Sequence, residues 1–469
     1  MKLKFAALLM AILLTAGCFA ACSDPADDNG DSESASPVES TRDEQSEENT
    51  EADTEEDTEA DTEADTEEDT EADTEEDTEA DTEEDTEADT EEDTEADTEE
   101  DTEADTEDED EEEEERLIPK LYKLTSSTEG VKILGERNLA SENSLHMDWS
   151  CSGAEFTIDL KGGSIRFNFI ASNSCMFRVW VDGEVYKQNG SEYFTIGSTN
   201  GTIALNGITP GKHTIKIMKV TGYTLARAEL TSVTFAGDLL TDTDTSDKEL
   251  YIEFVGDSIT CGWGTIGNHT GAYSDQDGTL AYSYLLAEAL GADYSMTALS
   301  GQGLLCGAPG VTNGYLYASP LKDNTNQYSF ERKADIVVIN IGTNDYSKKV
   351  GEAEFKAAYK SFLQTVKEKN GKECKILCLY NTMNDTYANA ILEACREMGG
   401  ELEAIVTYKL DRASGTTPNI VGHPTAEENK AYAEVLKDII LNLPERFDPT
   451  LNVIPEGDGD DDVIDFEAF

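Results

Sequence analysis

Three short strings in this chain carry side chains that an acyl-transfer reaction needs. They are Gly-Asp-Ser at residues 256–258, Gly-Thr-Asn-Asp at residues 342–345 and Gly-His-Pro at residues 422–424. A serine hydroxyl becomes a nucleophile when a neighbouring base takes its proton, and the oxyanion that then forms needs hydrogen-bond donors. The strings supply a hydroxyl, an amide and an imidazole in one order, which predicts a serine-based acyl-transfer site.

Ser258 is the predicted nucleophile. It directly follows the run YIEFV, which is typical of a buried parallel strand. Glycines nearby allow a tight turn, so we expect the serine side chain to be lifted out of the sheet and exposed. The plain alternative is a turn or cap residue. The matching strings later in the chain favour the catalytic interpretation.

His423 is the predicted base among four histidines. It precedes a helix-start pattern formed by Thr425 and Glu428, which places it in a loop at the mouth of a helix. His269 lies eleven residues after the serine and is the rival. The other two histidines fall in a β-rich stretch.

The predicted oxyanion donors are the backbone N–H groups of Ser258 and Gly301 and the side-chain amide of Asn344. Gly303, in the same LSGQGL string, is a rival donor to Gly301. Asn344 follows the buried run DIVVINI, and its plain alternative is a turn or helix cap.

Alternating strands and helices over residues 249–445 position these groups. The pattern predicts strands at 251–255, 294–299, 335–341, 374–380 and 404–409, and helices at 279–290, 353–369, 385–398 and 426–442. This order predicts a doubly wound parallel α/β sheet, whose sites lie at the carboxyl ends of the strands. Ser258 and Asn344 both come just after such ends.

Residues 117–240 have a different pattern, with short alternating runs separated by turn residues. Strings such as SIRFNFIA and MFRVWVDG indicate strands, and the segment predicts an all-β sandwich or jelly roll.

Acidic residues dominate the segments outside these two regions. Between residues 24 and 115 there are 53 acidic residues and one basic residue, which carry most of the formal net charge of −67. The repeated tetrads DTEA and DTEE offer nothing to bury, so residues 22–116 are predicted to be a disordered linker and residues 446–469 an acidic tail. The absence of a basic patch argues against nucleic acid as a partner.

Residues 1–21 have the features of a lipoprotein-type signal peptide, with two lysines and a short apolar run ending in small residues. The string LTAGC resembles a bacterial lipobox, which favours Cys18 as the lipidated residue. Cys22 is a second candidate, and an ordinary secretory signal cut near Ala21 is the alternative. We therefore expect an exported protein held at the cell surface or membrane through lipid alone.

Nine cysteines do not form a recognisable metal-binding pattern. Cys374 and Cys378 would lie about 13 Å apart on one strand, too far to bridge each other. A disulfide between Cys261 and Cys306 is left open. The sequence calls for no metal and no cofactor.

The strings GDSIT, SGQG, GTND and GHP resemble the SGNH (GDSL-type) hydrolases over about 195 residues. VKILGERN and MDWSCSGAEF resemble the N-terminal jelly roll of carbohydrate esterase family 2. Members of that family remove O-acetyl groups from plant cell-wall polysaccharides. The resemblance implies nucleophile and base roles for Ser258 and His423, and oxyanion roles for Gly301 and Asn344.

One departure from that resemblance concerns the base. Relatives often carry an aspartate two or three residues before the histidine, where this chain has Ile420 and Val421, with Asn419 the nearest polar residue. We therefore expect a Ser–His dyad in which a backbone carbonyl, or a carboxylate from elsewhere, orients the imidazole.

The sequence thus predicts a monomeric carbohydrate acetyl esterase acting on acetylated xylan or glucomannan. Trp263 and Tyr346 are candidate sugar-stacking residues, although either could be a core residue. Two alternatives remain: a carbohydrate-binding surface protein with a weak or vestigial esterase site, and a lipid or aryl esterase on the same fold.

Overall fold

The structure is a computed structural model that describes residues 117–135, 137, 141–267, 272–307, 310–319, 326–412 and 422–446. Several predictions concern residues outside this set: the signal peptide with Cys18 and Cys22, the acidic linker, His269, positions 419–421, and the acidic tail after residue 446.

Antiparallel strands make up the first part of the described chain. They are β1 (Lys120–Lys123), β2 (Val131–Leu134), β3 (Leu145–Met147), β4 (Ser152–Ala171), β5 (Cys175–Val181), β6 (Glu184–Val185), β7 (Phe194–Ile196), β8 (Thr199–Leu205), β9 (Gly211–Lys219) and β10 (Ala228–Leu240). Strand β4 organises them, because it pairs with β2 and β9 along its first half and with β8 along its second half. Strand β10 pairs with β4 from Thr157 onward.

The core of this β-rich region follows from the two-residue period of its strands. Phe156, Ile158 and Leu160 occupy alternate positions of β4, and all three are fully buried. They belong to one apolar cluster with side chains from the neighbouring strands, including Ile215 and Ile217 of β9. The antiparallel β-rich region predicted from the sequence is confirmed.

A five-stranded parallel sheet follows. Its strands are β11 (Tyr251–Gly256), β12 (Asp293–Ala298), β13 (Ile336–Asn340), β14 (Lys375–Tyr380) and β15 (Ile405–Lys409), in the order β12-β11-β13-β14-β15. The chain leaves β11 toward one side to form β12 and later returns to the other side to form β13. Strand β11 is therefore the switch point of the sheet, where sites form in such folds.

Helices cover both faces of this sheet, as the sequence predicts. The described α-helices are α1 (Tyr282–Leu290), α2 (Val311–Gly314), α3 (Thr343–Ser347), α4 (Glu352–Asn370), α5 (Ala388–Glu397) and α6 (Ala426–Leu441). Helices α4 and α5 bury their apolar side chains against one face, and α1 and α6 against the other. The first predicted helix begins three residues late, because Gly278–Leu280 forms a separate 3-10 turn.

The β-rich region and the α/β region share apolar surface. Trp180 of β5 and Met218 of β9 lie in the same buried cluster as Tyr282 and Leu286 of α1. The phenolic hydroxyl of Tyr294, on β12, donates a hydrogen bond to the backbone carbonyl of Cys151 at 2.8 Å. The two regions therefore pack directly against each other.

The described cysteines are all free thiols, including Cys261 and Cys306. The disulfide that the sequence left open between these two residues is therefore not formed. Cys374 and Cys378 are buried and unbridged, as expected.

Within the part of the chain that the structure describes, no helix combines the length and apolar character needed to cross a membrane.

Candidate active site

Ser258 lies in a tight turn directly after β11. The turn is tight because a Cβ on Gly256 would come within 2.1 Å of the hydroxyl oxygen of Thr260, so only glycine fits there. The Ile259 N–H donates to Oδ1 of Asp257 at 3.0 Å, and the Trp263 N–H donates to the Ser258 carbonyl at 2.9 Å. These bonds fix the backbone on both sides of the serine.

The expected exposure of Ser258 is wrong. The residue is only 5% exposed, because its hydroxyl faces another side chain rather than solvent. That side chain is His423, whose Nε2 lies 2.7 Å from Oγ of Ser258. In the tautomer with the proton on Nδ1, the hydroxyl donates to Nε2, which is the arrangement that a general base requires.

His423 is held at the start of α6. The side chain of Thr425 accepts from the Glu428 N–H and the Glu428 side chain accepts from the Thr425 N–H, which is the predicted capping box. Arg412 adds a second restraint, because it donates to the backbone carbonyl of Gly422 and forms an ion pair with the buried Glu428. The residue before the histidine is therefore anchored from the end of β15.

Asn344 lies in the first turn of α3, just past β13. Its Nδ2 donates to the backbone carbonyl of Gln302 at 2.8 Å and lies 3.3 Å from Oδ2 of Asp257. Through these two bonds the amide is linked to the residue after Gly301 and to the residue before Ser258. The structure thus brings together the three positions that the sequence proposed as oxyanion donors.

Gly301 and Gly303, the two candidate backbone donors, differ in the hydrogen bonding of their N–H groups. The Gly303 N–H donates to the carbonyl of Cys306 at 3.0 Å and is not free to bind a substrate. Gly301 has a φ of +81° and is exposed. Within the described residues its N–H has no acceptor, and neither has that of Ser258. These two N–H groups are available for an oxyanion.

Two buried aspartates were missed by the sequence reasoning. Asp257 is 1% exposed, and burial, with the charge of Asp345 adding to it, raises its pKa to about 7. Asp345 is fully buried and accepts from the backbone N–H groups of Leu304 and Leu305. The sequence did contain one indication of their importance. Each aspartate is the immediate neighbour of a proposed site residue, Ser258 or Asn344.

Residues 254–440 match the family model described as the GDSL-like lipase/acylhydrolase family. The candidate site therefore lies in a segment that is similar to a GDSL-like lipase/acylhydrolase domain. The match begins within β11 and ends within α6, so it spans Ser258, Asn344 and His423.

Two curated relatives extend the similarity beyond the GDSL-like domain. A cellulase/esterase, CelE, from Acetivibrio thermocellus is 26% identical over 332 residues, covering 67% of this chain and 39% of that protein. The chain thus spans well under half the length of this relative. An acetylxylan esterase / glucomannan deacetylase from Cellvibrio japonicus is 25% identical over 323 residues, covering 61% of this chain and 83% of that protein.

Solved structures show the same fold. A family two carbohydrate esterase from Clostridium thermocellum, in complex with cellohexaose, has a TM-score of 0.59 and 24% identity, covering 67% of this chain and 98% of that one. A family two carbohydrate esterase from Cellvibrio japonicus has a TM-score of 0.60 and 17% identity, covering 69% and 98%. The resemblance to family 2 carbohydrate esterases is confirmed at the level of the fold.

The two candidate stacking residues differ in their surroundings within the GDSL-like domain. Trp263 is half-buried, and its ring centroid lies 4.5 Å from that of His423. Tyr346 is 51% exposed on α3, two residues after Asn344. Trp263 thus forms one wall against the imidazole, while Tyr346 presents an open aromatic surface.

Among the described residues, no group of three or more potential ligands could hold a metal ion.

Proposed function

We propose that this chain is a carbohydrate acetyl esterase that removes O-acetyl groups from plant cell-wall polysaccharide of the xylan or glucomannan type. The observation that carries the proposal is the 2.7 Å contact between Ser258 Oγ and His423 Nε2, beside free backbone N–H groups at the edge of the sheet. The substrate class is supported by the relatives, one of which is an acetylxylan esterase / glucomannan deacetylase.

The chemistry follows from the geometry. Ser258 Oγ attacks the acetyl carbonyl carbon while His423 Nε2 takes the hydroxyl proton. The N–H groups of Ser258 and Gly301 stabilise the oxyanion of the tetrahedral intermediate, and the Asn344 amide joins them by exchanging its 3.3 Å bond to Asp257 Oδ2 for the oxyanion. His423 then returns the proton to the departing sugar oxygen. Water then attacks the acyl carbon while the imidazole takes a proton from it, and His423 passes that proton to Ser258 Oγ as the acyl–oxygen bond breaks and acetate leaves.

The test is acetate release from acetylated xylan and acetylated glucomannan by the full chain and by Ser258→Ala. We expect the variant to retain less than a tenth of the activity, because it lacks the hydroxyl that lies 2.7 Å from His423 Nε2. Its thermal midpoint should change little, since the truncation removes one hydrogen bond worth about 1 kcal/mol. The exposed Ser347→Ala on α3 is the control and should behave as wild type.

Other outcomes would separate the alternatives. Binding of the polysaccharide without acetate release would favour a carbohydrate-binding protein with a vestigial site. Hydrolysis of long-chain or aryl esters in preference to acetylated sugar would favour a lipid or aryl esterase. Full activity of Ser258→Ala would remove that residue from the nucleophile role.

We also propose that the protein is exported and held at the cell surface or membrane by a lipid on Cys18. The support is the sequence alone, in which two lysines, a short apolar run and LTAGC follow one another. Labelling with radioactive palmitate should mark the wild type and Cys22→Ala but not Cys18→Ala. Label that disappears only in Cys22→Ala would reassign the site, and an unlabelled wild type would contradict the anchor.

We propose that the enzyme is a monomer, and the support is that the nucleophile, the base and the oxyanion donors come from one chain. Light scattering on the soluble chain should give a single mass matching 51.1 kDa less any leader removed on export. A stable dimer that loses activity on dilution would contradict this.

A further inference from the structure

We propose that Asp345 is a positioning residue of the oxyanion hole: its buried carboxylate fixes the loop from Gly301 to Leu305, so that the Gly301 N–H faces the reacting carbonyl. The inference deepens the proposed esterase function and rests on it. The proposed role of Asp345 involves no contact with the substrate. It acts through the loop that carries the Gly301 N–H.

The contacts of Asp345 are specific and fully buried. Oδ2 accepts from the Leu304 N–H at 2.7 Å and Oδ1 accepts from the Leu305 N–H at 2.9 Å. The side chain is 0% exposed. Hydrogen bonds from backbone N–H groups to a carboxylate are charge-assisted and stronger than neutral ones. Both oxygens are therefore committed to two consecutive amides of one loop.

The bonds cross the fold instead of capping the helix that carries Asp345. An acid in the first turn of a helix usually accepts from N–H groups of that helix or interacts with its dipole. Asp345 instead bonds residues that lie 41 and 40 positions earlier in the chain. Its role is therefore to join α3 to the loop after β12.

The loop needs such a restraint because it is rich in glycine. Gly301 and Gly307 both have positive φ values, and Gly303 lies between them. Glycine loses the most conformational freedom on ordering, so this loop is costly to hold in one shape. A Cβ on Gly303 would lie 2.6 Å from Oδ2 of Asp345, so this glycine lets the loop approach the carboxylate closely.

Asn344 also bonds this loop, but as a hydrogen-bond donor rather than as an acceptor. Its amide donates to the Gln302 carbonyl, while the adjacent Asp345 accepts from Leu304 and Leu305. The N–H groups from Gln302 to Leu305 are all satisfied within the protein. At the end of this restrained segment the Gly301 N–H has no acceptor among the residues that the structure describes, which is the arrangement that an oxyanion donor requires.

The experiment compares Asp345→Asn with Asp335→Asn in the full chain. Asparagine keeps the size of the side chain but replaces one acceptor oxygen by a donor NH₂ that faces a backbone N–H. Asp335 is a matched control, because its Oδ2 also accepts a backbone N–H, from Tyr251 at 2.8 Å, but at the opposite end of the sheet. Active sites are titrated with a reactive methylphosphonate ester, and kcat and KM are measured with 4-methylumbelliferyl acetate.

We expect kcat per titrated site to fall about a hundredfold in Asp345→Asn, as for loss of one oxyanion donor. KM should change less than about threefold, and phosphonylation of Ser258 should slow in parallel with kcat. Asp335→Asn should keep its kcat. A merely structural role would lower the fraction of titratable sites and leave kcat per site intact, which would overturn the proposal.

A second variant guards against misfolding. In Gly303→Ala the new Cβ would lie 2.4 Å from Sγ of Cys306 and 2.6 Å from Oδ2 of Asp345, so it should displace the thiol and the carboxylate and lower kcat per site while Asp345 itself is kept. Wild-type kcat in a folded Gly303→Ala, or failure of both variants to fold, would overturn the positioning role. If the wild type releases no acetate from any acetyl ester, the proposed function has failed, and the phosphonylation rates still decide whether Asp345 positions the donor.

Discussion

Asp257 sits between the nucleophile and the oxyanion loop, with one carboxylate oxygen on the Ile259 N–H and the other 3.3 Å from the Asn344 amide. Its pKa is raised to about 7, first by burial and then by the charge of Asp345. The folded state therefore holds this proton more tightly than the unfolded chain does. The stability that protonation contributes is complete below about pH 4 and is lost as the pH rises through about 7.

Replacing Asp257 by asparagine should flatten this part of the pH dependence, since the amide cannot ionise. The free energy of unfolding of the wild type should fall between about pH 4 and pH 7 more steeply than that of Asp257→Asn. Urea unfolding at several pH values measures the difference. Ser258→Ala, in the same turn, keeps the carboxyl and should keep the wild-type slope; equal slopes for wild type and Asp257→Asn would contradict the shifted pKa.

The base assignment is also decided at the scale of single residues. We expect His423→Ala to lower kcat at least about a thousandfold, because no other described histidine reaches Ser258. His269→Ala, the matched control from the sequence rivalry, should keep near-normal turnover. Kinetics of acetyl ester hydrolysis on both purified variants are the measurement. If His269→Ala were inactive and His423→Ala active, His269 rather than His423 would be the base.

At the scale of elements, each catalytic group is placed by the end of a strand or the beginning of a helix. The turn after β11 presents Ser258, α3 presents Asn344 and the start of α6 presents His423. Strand β11 and helix α6 bury their apolar side chains in the clusters on the faces of the sheet, and α3 is held through the bonds of its buried Asp345. The loops between them therefore carry the chemistry while the sheet fixes the distances.

Arg412 is the contact that joins the end of β15 to the start of α6. Arg412→Met keeps the apolar stem but removes the bonds to the Gly422 carbonyl and to Glu428. We expect kcat to fall about tenfold, equivalent to about 1.4 kcal/mol, as the loop that carries His423 loosens. The exposed Arg396→Met on α5 is the control and should have wild-type kinetics. An unchanged kcat in Arg412→Met would show that the capping box alone holds the histidine.

At the scale of the whole molecule, the β-rich segment and the α/β region are joined by a buried ion pair. Nη2 of Arg137 lies 2.7 Å from Oε1 of Glu253 on β11, and both side chains are fully buried. The guanidinium also lies 4.4 Å from the ring centroid of Tyr315, whose hydroxyl donates to Glu253 at 2.6 Å. Strand β11 is thus bonded to a residue that precedes the α/β region by more than a hundred positions.

Removing the cation should be strongly destabilising. Arg137→Met leaves the Glu253 carboxylate buried without its ionic partner, and we expect a loss of about 3–5 kcal/mol in the free energy of unfolding. Urea denaturation measures it. Lys120→Ala, which removes a solvent-exposed ion pair with Asp238, is the control and should leave the transition in place. A midpoint for Arg137→Met that coincides with the control would show that the ion pair does not contribute to stability.

Local patterns in the sequence were enough to predict most elements and the proposed site residues. The β-branched runs before Ser258 and Asn344 form β11 and β13, and the capping box after His423 begins α6. These features are readable because strand burial, turn glycines and helix caps depend on residues a few positions apart.

Tertiary structure decided the contacts between distant positions. Ser258 and His423 are 165 residues apart in sequence, and their hydrogen bond explains why the serine is buried although its string predicted exposure. Asp345 reaches the loop after Gly301 across 40 residues. The packed fold also shows that the Gly303 N–H is bonded, while that of Gly301 has no acceptor among the described residues. Such pairings depend on how the sheet brings strand ends together, and no local periodicity encodes them.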